Sequence, residues 1–357
     1  MSAVAASLFA ARPLRCLARQ HRRIPHEMFT TQASVSAAAE DTASAVRSGD
    51  AVGVRFRAVT ADAKQAVVDS SESVRSDAYF VVGDTSVPAR FPGLESLVLG
   101  LTLRSGAVTK RIPAPFGQRS DANLVEVPAM YVPPGLANGV EVRMGDGRLG
   151  TVTKLDGEGV VVDCNHQFAG VDVDLTVEVV AHCPASRLQS VVFGLGCFWS
   201  PQLKFDRVPG VMASSVGYAN GLVADPTYED VCTGSTGHTE AVKIYFDPAV
   251  VSFETLLDRF FEFHDATQKN RQGNDVGTQY RSGIYATTPE QLELAQAAVA
   301  KKNASLPPGK SVASDVEMLK CYYVAEGYHQ DYLARGGGQG NAQPSRKLCA
   351  DPVRCYG

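Results

Sequence analysis

One cysteine stands where a predicted buried strand turns towards a helix. The apolar run VVF at 191–193 predicts the strand, and the motif GCFW at 196–199 follows it. Backbone N–H groups and a helix N-terminus at such a turn favour a thiolate, the nucleophilic form of cysteine. Phe198 and Trp199 offer an apolar wall beside the sulfur of Cys197. This combination suits a small, soft, apolar substrate group, whereas the alternative is a cysteine that only packs in the core.

Further motifs follow Cys197 in a fixed order. They are GY at 217–218, PTYEDVC at 226–232, GHTEAV at 237–242, QGNDVGTQYRS at 272–282 and CADPVRCYG at 349–357. Together with GCFW they resemble the A-type peptide methionine sulfoxide reductases, and the C-terminal motif is similar to that of the plant subgroup. The resemblance covers residues 191–357. It implies a peptide-methionine (S)-S-oxide reductase, which converts methionine S-sulfoxide in proteins and the free amino acid to methionine.

The resemblance assigns roles to the side chains that removal of oxygen from sulfur needs. Cys197 is the nucleophile, and Glu240 is the proton donor, which needs a raised pKa to stay protonated near neutral pH. Tyr228 and Tyr280 donate hydrogen bonds to the sulfoxide oxygen, and Asp275 orients these donors. The residues expected to bind substrate are Phe198 and Trp199, around the S-methyl group, and His329 and Tyr332, three apart on one face of a predicted helix.

The C-terminal tail carries two candidate resolving thiols. Cys349 and Cys355 follow the glycine run 336–338, which makes the tail flexible enough to bring either sulfur to Cys197. After attack Cys197 is a sulfenic acid, and condensation with a tail thiol gives a disulfide that an external dithiol reduces. The resemblance implies thioredoxin as that reductant, with no bound cofactor. The order in which Cys349 and Cys355 act stays open.

Pro201 departs from the family pattern four residues after Cys197. Since proline has no N–H, a helix starting at Cys197 would lack its first bond back to the Cys197 carbonyl. The sequence therefore predicts a helix with Ser200 as N-cap and Pro201 as its first residue.

Other elements of the C-terminal half follow from periodicity and capping. A strand is predicted at 240–246, an amphipathic helix at 252–263, and a further helix from the N-cap Thr288 through about Lys302. We expect an α/β (α+β) domain.

The N-terminal half reads as short strands around one helix. Strands are predicted at 52–56, 67–70, 79–83 and 171–180, and a short helix within 92–101. With DANLV at 121–125 and VVVDCNHQFAG at 160–170, this pattern resembles the SlyD subgroup of FKBP-type prolyl isomerases. The resemblance implies a β-rich domain whose flap contains an inserted module that binds unfolded chains.

This second resemblance also assigns an isomerase pocket, formed by Asp69, Phe56, Phe91, Leu94 and Phe116. Phe56 and Phe116 stand where tyrosines are usual, so two hydroxyls are missing. Because rotation about an X–Pro bond needs mainly a desolvated pocket, weakened isomerase activity and client holding without catalysis are both left open. The histidine-rich nickel-binding tail of SlyD proteins is absent, and no metal is expected.

Composition limits the class of protein. The 357 residues suit two domains, and the net charge of −4 gives no support for a nucleic acid or an anionic membrane as partner. No apolar run approaches the length of a bilayer span. The eight cysteines contain no C-x-x-C pair, which excludes a disulfide-stapled secreted domain and a paired-thiol zinc site. The cysteines expected only to pack are Cys164, Cys183, Cys232 and Cys321. We expect a monomer.

The first residues differ from the rest. Five arginines precede Glu27, the first acidic residue, and this predicts a transit peptide for a mitochondrion or plastid. A disordered basic tail on a cytoplasmic protein is the alternative. The predicted chain is multidomain: a transit peptide and linker at 1–48, a β-rich FKBP/SlyD-like domain at 49–184 with its insert at about 118–166, a reductase domain at 185–335 and a flexible tail at 336–357.

Two functions compete. The preferred hypothesis is a methionine sulfoxide reductase whose N-terminal half binds oxidised or unfolded protein clients. The alternative is a client-binding chaperone in which the reductase half serves as a thiol redox sensor. A thiol peroxidase also fits Cys197, but it leaves Glu240 and the two tyrosines without a role.

Overall fold

The computed structural model describes residues 9–10, 44–73, 76–144, 148–156, 159–337 and 341–355. Two compact units divide the chain. Unit 1 contains the described residues within Met1–Val35, Val59–Val68 and Arg111–Asp174, and unit 2 contains those within Ser36–Ala58, Asp69–Lys110 and Leu175–Gly357. Apart from two residues at 9–10 and the stretch from Ser44, the predicted transit peptide and linker lie outside the described residues.

The described chain is rich in strands. In order, the strands are β1 Phe9–Ala10, β2 Ala51–Thr60, β3 Val67–Ser70, β4 Ala78–Val81, β5 Val108–Ile112, β6 Leu124–Pro128, β7 Glu141–Arg143, β8 Leu149–Asp156, β9 Gly159–Asp163, β10 Val173–Cys183, β11 Gln189–Leu195, β12 Val211–Ala219, β13 Thr239–Phe246, β14 Arg271–Gln272, β15 Asp275–Val276, β16 Ser282–Ala286, β17 Asp315–Met318 and β18 Tyr322–Val324. The helices are α1 Leu94–Val98, α2 Trp199–Asp206, α3 Tyr228–Cys232, α4 Phe253–Phe263 and α5 Pro289–Ala304.

Unit 1 contains a five-stranded sheet of order β1-β7-β8-β9-β6. Its strands pair antiparallel. Valines alternate along the strands, so that one face buries a small core containing Val127, Val142, Val152, Val160 and Val162. Apart from β1, this sheet lies within the range predicted for the inserted module.

A second sheet has the order β3-β2-β10-β5, with β4 paired to β2. The four strands predicted in the N-terminal half are confirmed as β2, β3, β4 and β10, with small shifts at their ends. The predicted short helix is α1, whose face of Leu94, Leu97 and Val98 is buried.

The third sheet has six strands in the order β17-β16-β11-β13-β12-β18. Only the pair β16–β17 is parallel among the pairs described in this sheet. The apolar face of α4 packs on it, and Phe193, Phe246 and Phe260 belong to the shared core. This mixed sheet with its helices agrees with the predicted α/β (α+β) class.

The strand register brings two chain segments together at one edge of this sheet. Phe193 of β11 pairs with Val242 of β13 in antiparallel register. The end of β11 therefore lies beside the start of β13, and the turn that holds Cys197 comes next to Glu240.

The helix predicted at 252–263 and the predicted N-cap Thr288 are both confirmed. The Ser252 side chain accepts from the Thr255 N–H at 3.2 Å and caps α4. The Thr288 side chain accepts from the Gln291 N–H at 3.3 Å and caps α5, with Pro289 as its first residue.

The predicted start of α2 is wrong. Phe198 is its N-cap, and Pro201 is its third residue rather than its first. The first residues of a helix make no intrahelical N–H bond, so Pro201 removes none. The bond from the Gln202 N–H to the Phe198 carbonyl, at 3.1 Å, closes the first turn.

The helix predicted to hold His329 and Tyr332 is also wrong, because residues 327–337 form a series of turns. Asp331 lies between them with a φ of 54°, a left-handed conformation that a regular helix does not tolerate. None of the described helices combines the length and apolar composition that a bilayer span requires.

Unit 2 contains residues from both halves of the chain. Val81 and Val87 belong to one buried apolar cluster with Met212, Ala213 and Tyr245 of the third sheet. The Tyr245 hydroxyl also donates to the Asp84 carboxylate. Part of the N-terminal half therefore packs directly against the six-stranded sheet.

Candidate active site

Cys197 lies half-buried in the turn between β11 and α2. Gly196 precedes it with a φ of 84°, and a Cβ at Gly196 would lie 2.5 Å from the Cβ of Gln272. Both the left-handed conformation and the lack of space require glycine there. The Trp199 N–H donates to the Cys197 sulfur, a contact that favours the thiolate and opposes the rise in pKa described below.

Glu240 is buried beside this turn and is 2% exposed. The Phe198 N–H donates to its Oε2 at 3.2 Å. Burial raises the pKa of Glu240 to about 8 in spite of this hydrogen bond, and the negative charges of Asp275 and Cys355 act in the same direction as burial. The carboxyl group therefore keeps its proton at neutral pH, as a proton donor must.

Two tyrosine hydroxyls share the surroundings of Glu240. Tyr228 is the first residue of α3, and Tyr280 ends a short 3-10 turn. Burial raises the pKa of both hydroxyls, and the charge of Glu240 raises both further. Asp275 in β15 raises the pKa of Tyr280 as well. Both phenols remain O–H donors at neutral pH, close to Glu240.

An aromatic wall stands next to Cys197. The Trp199 ring stacks on Tyr332 with centroids 3.9 Å apart and planes inclined by 17°. Phe198 is buried, and its ring lies 5.1 Å from the ring of His329. The His329 ring in turn lies 4.6 Å from that of Tyr228. His329 and Tyr332 therefore lie beside Cys197 as predicted, although turns after β18 rather than a helix position them.

His329 is held in one tautomer. The indole N–H of Trp199 donates to its Nδ1 at 3.2 Å. Burial lowers the pKa of His329, so the ring is neutral and carries its proton on Nε2. Nε2 is buried without a hydrogen-bond partner among the described residues, 3.9 Å from a carboxylate oxygen of Glu326. The Nε2–H of His329 is thus a hydrogen-bond donor without a partner among the described residues, and it lies beside the aromatic wall.

Cys355 of the tail reaches the candidate nucleophile. The Cys197 thiol donates to the Cys355 sulfur, and the Ser200 N–H donates to that sulfur as well. The Cys197 contact lowers the pKa of Cys355, against burial. The same hydrogen bond raises the pKa of Cys197, and burial and the charge of Glu240 add to the rise. The expectation of a readily ionised Cys197 is therefore wrong for this arrangement, because the charge of the thiol pair is favoured on Cys355.

Cys349 lies elsewhere in the tail. It is half-buried in a turn that its own N–H closes by donating to the Arg346 carbonyl at 3.2 Å. Of the two predicted resolving thiols, Cys355 is the one with a described interaction at Cys197.

Sequence reasoning missed the roles of two residues near the site, Glu326 and Cys232. The Glu326 carboxylate accepts from the Tyr228 N–H and from the Tyr218 hydroxyl, both at 2.8 Å. The spacing of Glu326 three residues before His329 was the available signal. Cys232, expected to pack in the core, is exposed instead and hydrogen-bonds to the Tyr228 hydroxyl. It ends α3 on the side of Tyr228.

The residues of the predicted isomerase pocket have different surroundings. Phe56, Phe91 and Leu94 are buried core residues, with the two rings 6.0 Å apart. Asp69 accepts from Arg90 through both oxygens, at 3.0 and 3.1 Å. Phe116 belongs to unit 1, where it stacks on His166 at 3.7 Å.

Among the described residues, no group of three or more His, Cys, Asp or Glu side chains is arranged to hold a metal ion. The thiols, the carboxyl group and the phenols are the chemically active groups of the site.

Comparison with known proteins gives a family. The model of the family "Peptide methionine sulfoxide reductase" matches residues 189–349. The chloroplastic peptide methionine sulfoxide reductase A4 of Arabidopsis thaliana is 52% identical over 174 residues, which are 49% of this chain and 67% of that protein. A peptide methionine sulfoxide reductase of Lactuca sativa is 46% identical over 211 residues, which are 59% of this chain and 77% of that protein.

A solved structure is also similar. Methionine sulfoxide reductase A of Corynebacterium diphtheriae is 38% identical, with a TM-score of 0.41, over 42% of this chain and 75% of that one. The resemblance of residues 49–182 to prolyl isomerases stays a prediction. The motifs around Cys197 and Glu240 lie within the matched range, and the chain belongs to the peptide methionine sulfoxide reductase family of oxidoreductases.

Proposed function

We propose that this chain reduces methionine S-sulfoxide, in proteins and as the free amino acid, with Cys197 as nucleophile and Glu240 as proton donor. One observation carries the assignment. A carboxyl group whose pKa is raised to about 8 lies against the turn of Cys197, bonded to the Phe198 N–H at 3.2 Å. The sulfoxide oxygen needs a proton before it can leave sulfur, and a buried neutral carboxyl group supplies one.

The chemistry balances without an added cofactor. The Cys197 thiol passes its proton to the Cys355 sulfur, and the resulting thiolate attacks the sulfoxide sulfur and forms a sulfur–sulfur bond. Glu240 protonates the oxygen, and Tyr228 and Tyr280 donate to that oxygen as charge develops. The sulfur–oxygen bond of the sulfoxide and the transient sulfur–sulfur bond break, methionine leaves, and the oxygen ends on Cys197 as a sulfenic acid with the proton from Glu240. The substrate gains two electrons and Cys197 loses two. Asp275 holds the donor set, and Phe198 and Trp199 surround the S-methyl group.

The neutral His329 fits a binding role. Its Nε2–H is buried without a partner among the described residues, and an unpaired buried donor is costly. A substrate carbonyl or sulfoxide oxygen would satisfy it. The indole N–H of Trp199 keeps the imidazole in place, and the Tyr332 ring stacks on that indole.

Resolution begins with Cys355. Its sulfur is hydrogen-bonded to the Cys197 thiol, and that contact lowers its pKa, so the second thiol already lies beside the nucleophile. Attack on the sulfenic acid forms the Cys197–Cys355 disulfide and releases the oxygen as water. Cys349 then takes over the disulfide with Cys355, and thioredoxin reduces the tail pair.

The N-terminal half binds unfolded clients in this proposal. Large apolar side chains of unit 1 are exposed, with Met130 81% exposed, and Tyr131 and Leu149 are also on its surface. Such side chains suit weak contacts with apolar segments of an unfolded chain. Tethered binding raises the local concentration of oxidised methionine near Cys197.

Plastid targeting is the proposed localisation. The arginine-rich first residues support an organelle, and the relative from Arabidopsis thaliana is named chloroplastic. Import of a tagged full-length chain into isolated plastids and mitochondria tests the choice.

The deciding experiment measures turnover on the separated S and R epimers of a small methionine sulfoxide derivative, with dithiothreitol as reductant. We expect turnover of the S epimer by the wild type and none by Cys197→Ser. Cys321→Ser is the matched control, since this thiol lies outside the site and donates to the Gly221 carbonyl, a contact that a serine hydroxyl can keep, so the variant should retain activity. Equal rates for wild type and Cys197→Ser would refute the assignment.

A further inference from the structure

The described part of the tail, residues 341–355, is attached to unit 2 by a buried arginine. Arg207 follows the last residue of α2 and is 8% exposed. Its side chain donates to the carbonyl of Pro344 at 2.9 Å and to that of Asp351 at 2.5 Å. Its own carbonyl accepts from the Leu348 N–H at 2.9 Å. One residue therefore holds the tail at three points, on both sides of Cys349.

A lysine of the tail makes the second attachment. The Lys347 ammonium donates to the carbonyl of Asp206 at 2.6 Å and to that of Val211 at 2.5 Å. Asp206 is the last residue of α2. The carbonyls at a helix C-terminus lack intrahelical partners and favour a cation, so Lys347 caps α2 from outside the helix.

The N-terminal half supplies the third part. The Lys347 ammonium lies 4.4 Å from the centroid of the Tyr79 ring. Tyr79 is in β4, opposite Gly53 of β2. A Cβ at Gly53 would lie 2.5 Å from this ring, so the glycine leaves the space in which the ring lies. An aromatic face presented to an ammonium group attracts it.

Helix α2 connects these attachments to the chemistry. At its first turn the Ser200 N–H donates to the Cys355 sulfur, and at its other end Lys347 and Arg207 hold the tail. The tail thus contacts both ends of a single eight-residue helix. Because the tail is attached at both ends of α2, it presents Cys355 to Cys197 at a high effective concentration.

We propose that Arg207, Lys347 and Tyr79 form a clamp that positions Cys355 for attack on the Cys197 sulfenic acid, so that the N-terminal half takes part in resolution as well as in client binding. In this step a sulfur–sulfur bond forms between Cys355 and Cys197, the sulfur–oxygen bond of the sulfenic acid breaks, and the oxygen takes up the Cys355 proton and leaves as water. The clamp rests on the proposed function, because it acts only after Cys197 has been oxidised. Its three residues are positioning residues and touch no reacting atom.

A single-turnover experiment on the full chain tests the clamp. One equivalent of a small methionine S-sulfoxide derivative is added to the reduced protein without external reductant. Released methionine product reports attack by Cys197, and mass spectrometry after thiol alkylation reports the Cys197–Cys355 disulfide. For Lys347→Met we expect unchanged product release, disulfide formation slower by about tenfold, and Cys197 sulfenic acid trapped by a dimedone-type probe.

Matched variants separate positioning from folding. Lys347→Arg retains a cation and should restore the rate to within about threefold of wild type. Tyr79→Leu keeps an apolar side chain but removes the ring, and we expect disulfide formation slower by about threefold. Lys301→Met alters an exposed lysine of α5 and should behave as wild type. Circular dichroism checks that each variant is folded. If Lys347→Met does not fold, the rate of disulfide formation in Tyr79→Leu decides the test of the clamp.

The outcomes are distinct. Disulfide formation at the wild-type rate in both Lys347→Met and Tyr79→Leu would overturn the clamp. A parallel loss of product release and disulfide would also overturn it, since it would show damage to the site rather than loss of positioning. Absence of product from the wild-type protein would instead refute the proposed function.

Discussion

The two predicted sites of this chain, the one around Cys197 and the isomerase pocket, have different surroundings in the structure. Around Cys197, side chains from distant parts of the sequence converge, and burial raises the pKa of Glu240 to about 8. In the N-terminal half, Leu94 is 0% exposed and Phe91 is a core residue, while Asp69 is paired with Arg90. Around Cys197, the Nε2–H of His329 has no hydrogen-bond partner among the described residues. In the predicted isomerase pocket, the carboxylate of Asp69 is already paired with Arg90.

The difference shows what kind of motif predicts a site. Aromatic and aliphatic residues can form a pocket floor or a core equally well, since both bury apolar surface. A buried glutamate without a basic partner is costly and rare in a core. The buried Glu240 of the structure is therefore stronger support for a site than the three apolar residues of the isomerase pocket.

The largest expected effect is at Glu240. We expect Glu240→Gln to lower kcat on a small S-sulfoxide by about 10² to 10⁴-fold, the usual contribution of a general acid. In the wild type the acid form is lost as pH rises through its pKa of about 8, so kcat should fall above that pH. The residual activity of the variant should lack this fall. Stopped-assay kinetics between pH 6 and 10, on the order of one point per half unit, measures both.

The assignment of Glu240 as proton donor would be contradicted if Glu240→Gln retained the wild-type kcat and the same decline of kcat at alkaline pH. Glu262→Gln is the matched control, since Glu262 is an exposed glutamate of α4.

The next effect is at the tail thiols. Cys355→Ser should reduce thioredoxin-driven turnover by about 100-fold or more while dithiothreitol-driven turnover continues, because a small dithiol reaches the sulfenic acid directly. The same change should lower the pKa of Cys197, since it removes the partner that raises that pKa. The pH dependence of iodoacetamide labelling at Cys197 measures this shift.

Cys349→Ser sharpens the order of resolution. It should still form the Cys197–Cys355 disulfide in a single turnover, with thioredoxin-driven turnover lowered by about tenfold. A Cys197–Cys349 disulfide in the wild type after one turnover would reverse the order.

A smaller effect is expected at the aromatic wall. Trp199→Ala removes the ring that stacks on Tyr332 and the donor to His329. We expect KM for a small sulfoxide to rise by about tenfold, corresponding to loss of ~1.4 kcal/mol of binding, with kcat changed less. Steady-state kinetics separates the two constants. A fall in kcat with KM unchanged would assign Trp199 to the chemical step instead.

The smallest effect is expected in the N-terminal half. Asp69→Asn breaks a half-buried pair with Arg90, so we expect a loss of about 1 kcal/mol of stability and unchanged reductase kcat/KM. Urea unfolding and the reductase assay measure these quantities. A prolyl-isomerase assay completes the test. Clear isomerase activity that Asp69→Asn lowers by about tenfold would show that this half also contains a working site.

Local chemistry made much of the fold predictable. Alternation predicted β2, β10 and β13, apolar spacing predicted α4, and the cap Thr288 predicted the start of α5. These features depend on neighbours in sequence. The start of α2 was mispredicted because Pro201 is compatible with several positions in the first turn of a helix. The turns of 327–337 were mispredicted because the sequence contains no signal for the left-handed conformation of Asp331.

The sequence by itself determined which residues are candidates for the chemistry, since thiols, a carboxyl group and phenols stand in motifs of fixed order. Only the tertiary structure decided their state. The pKa of Glu240 is raised because the sheet register buries it beside the turn of Cys197. The pKa of Cys197 is raised because the tail, held by Arg207 and Lys347, brings Cys355 to it. Ionisation depends on desolvation and on charges a few ångströms away, and these distances exist only once the chain has folded.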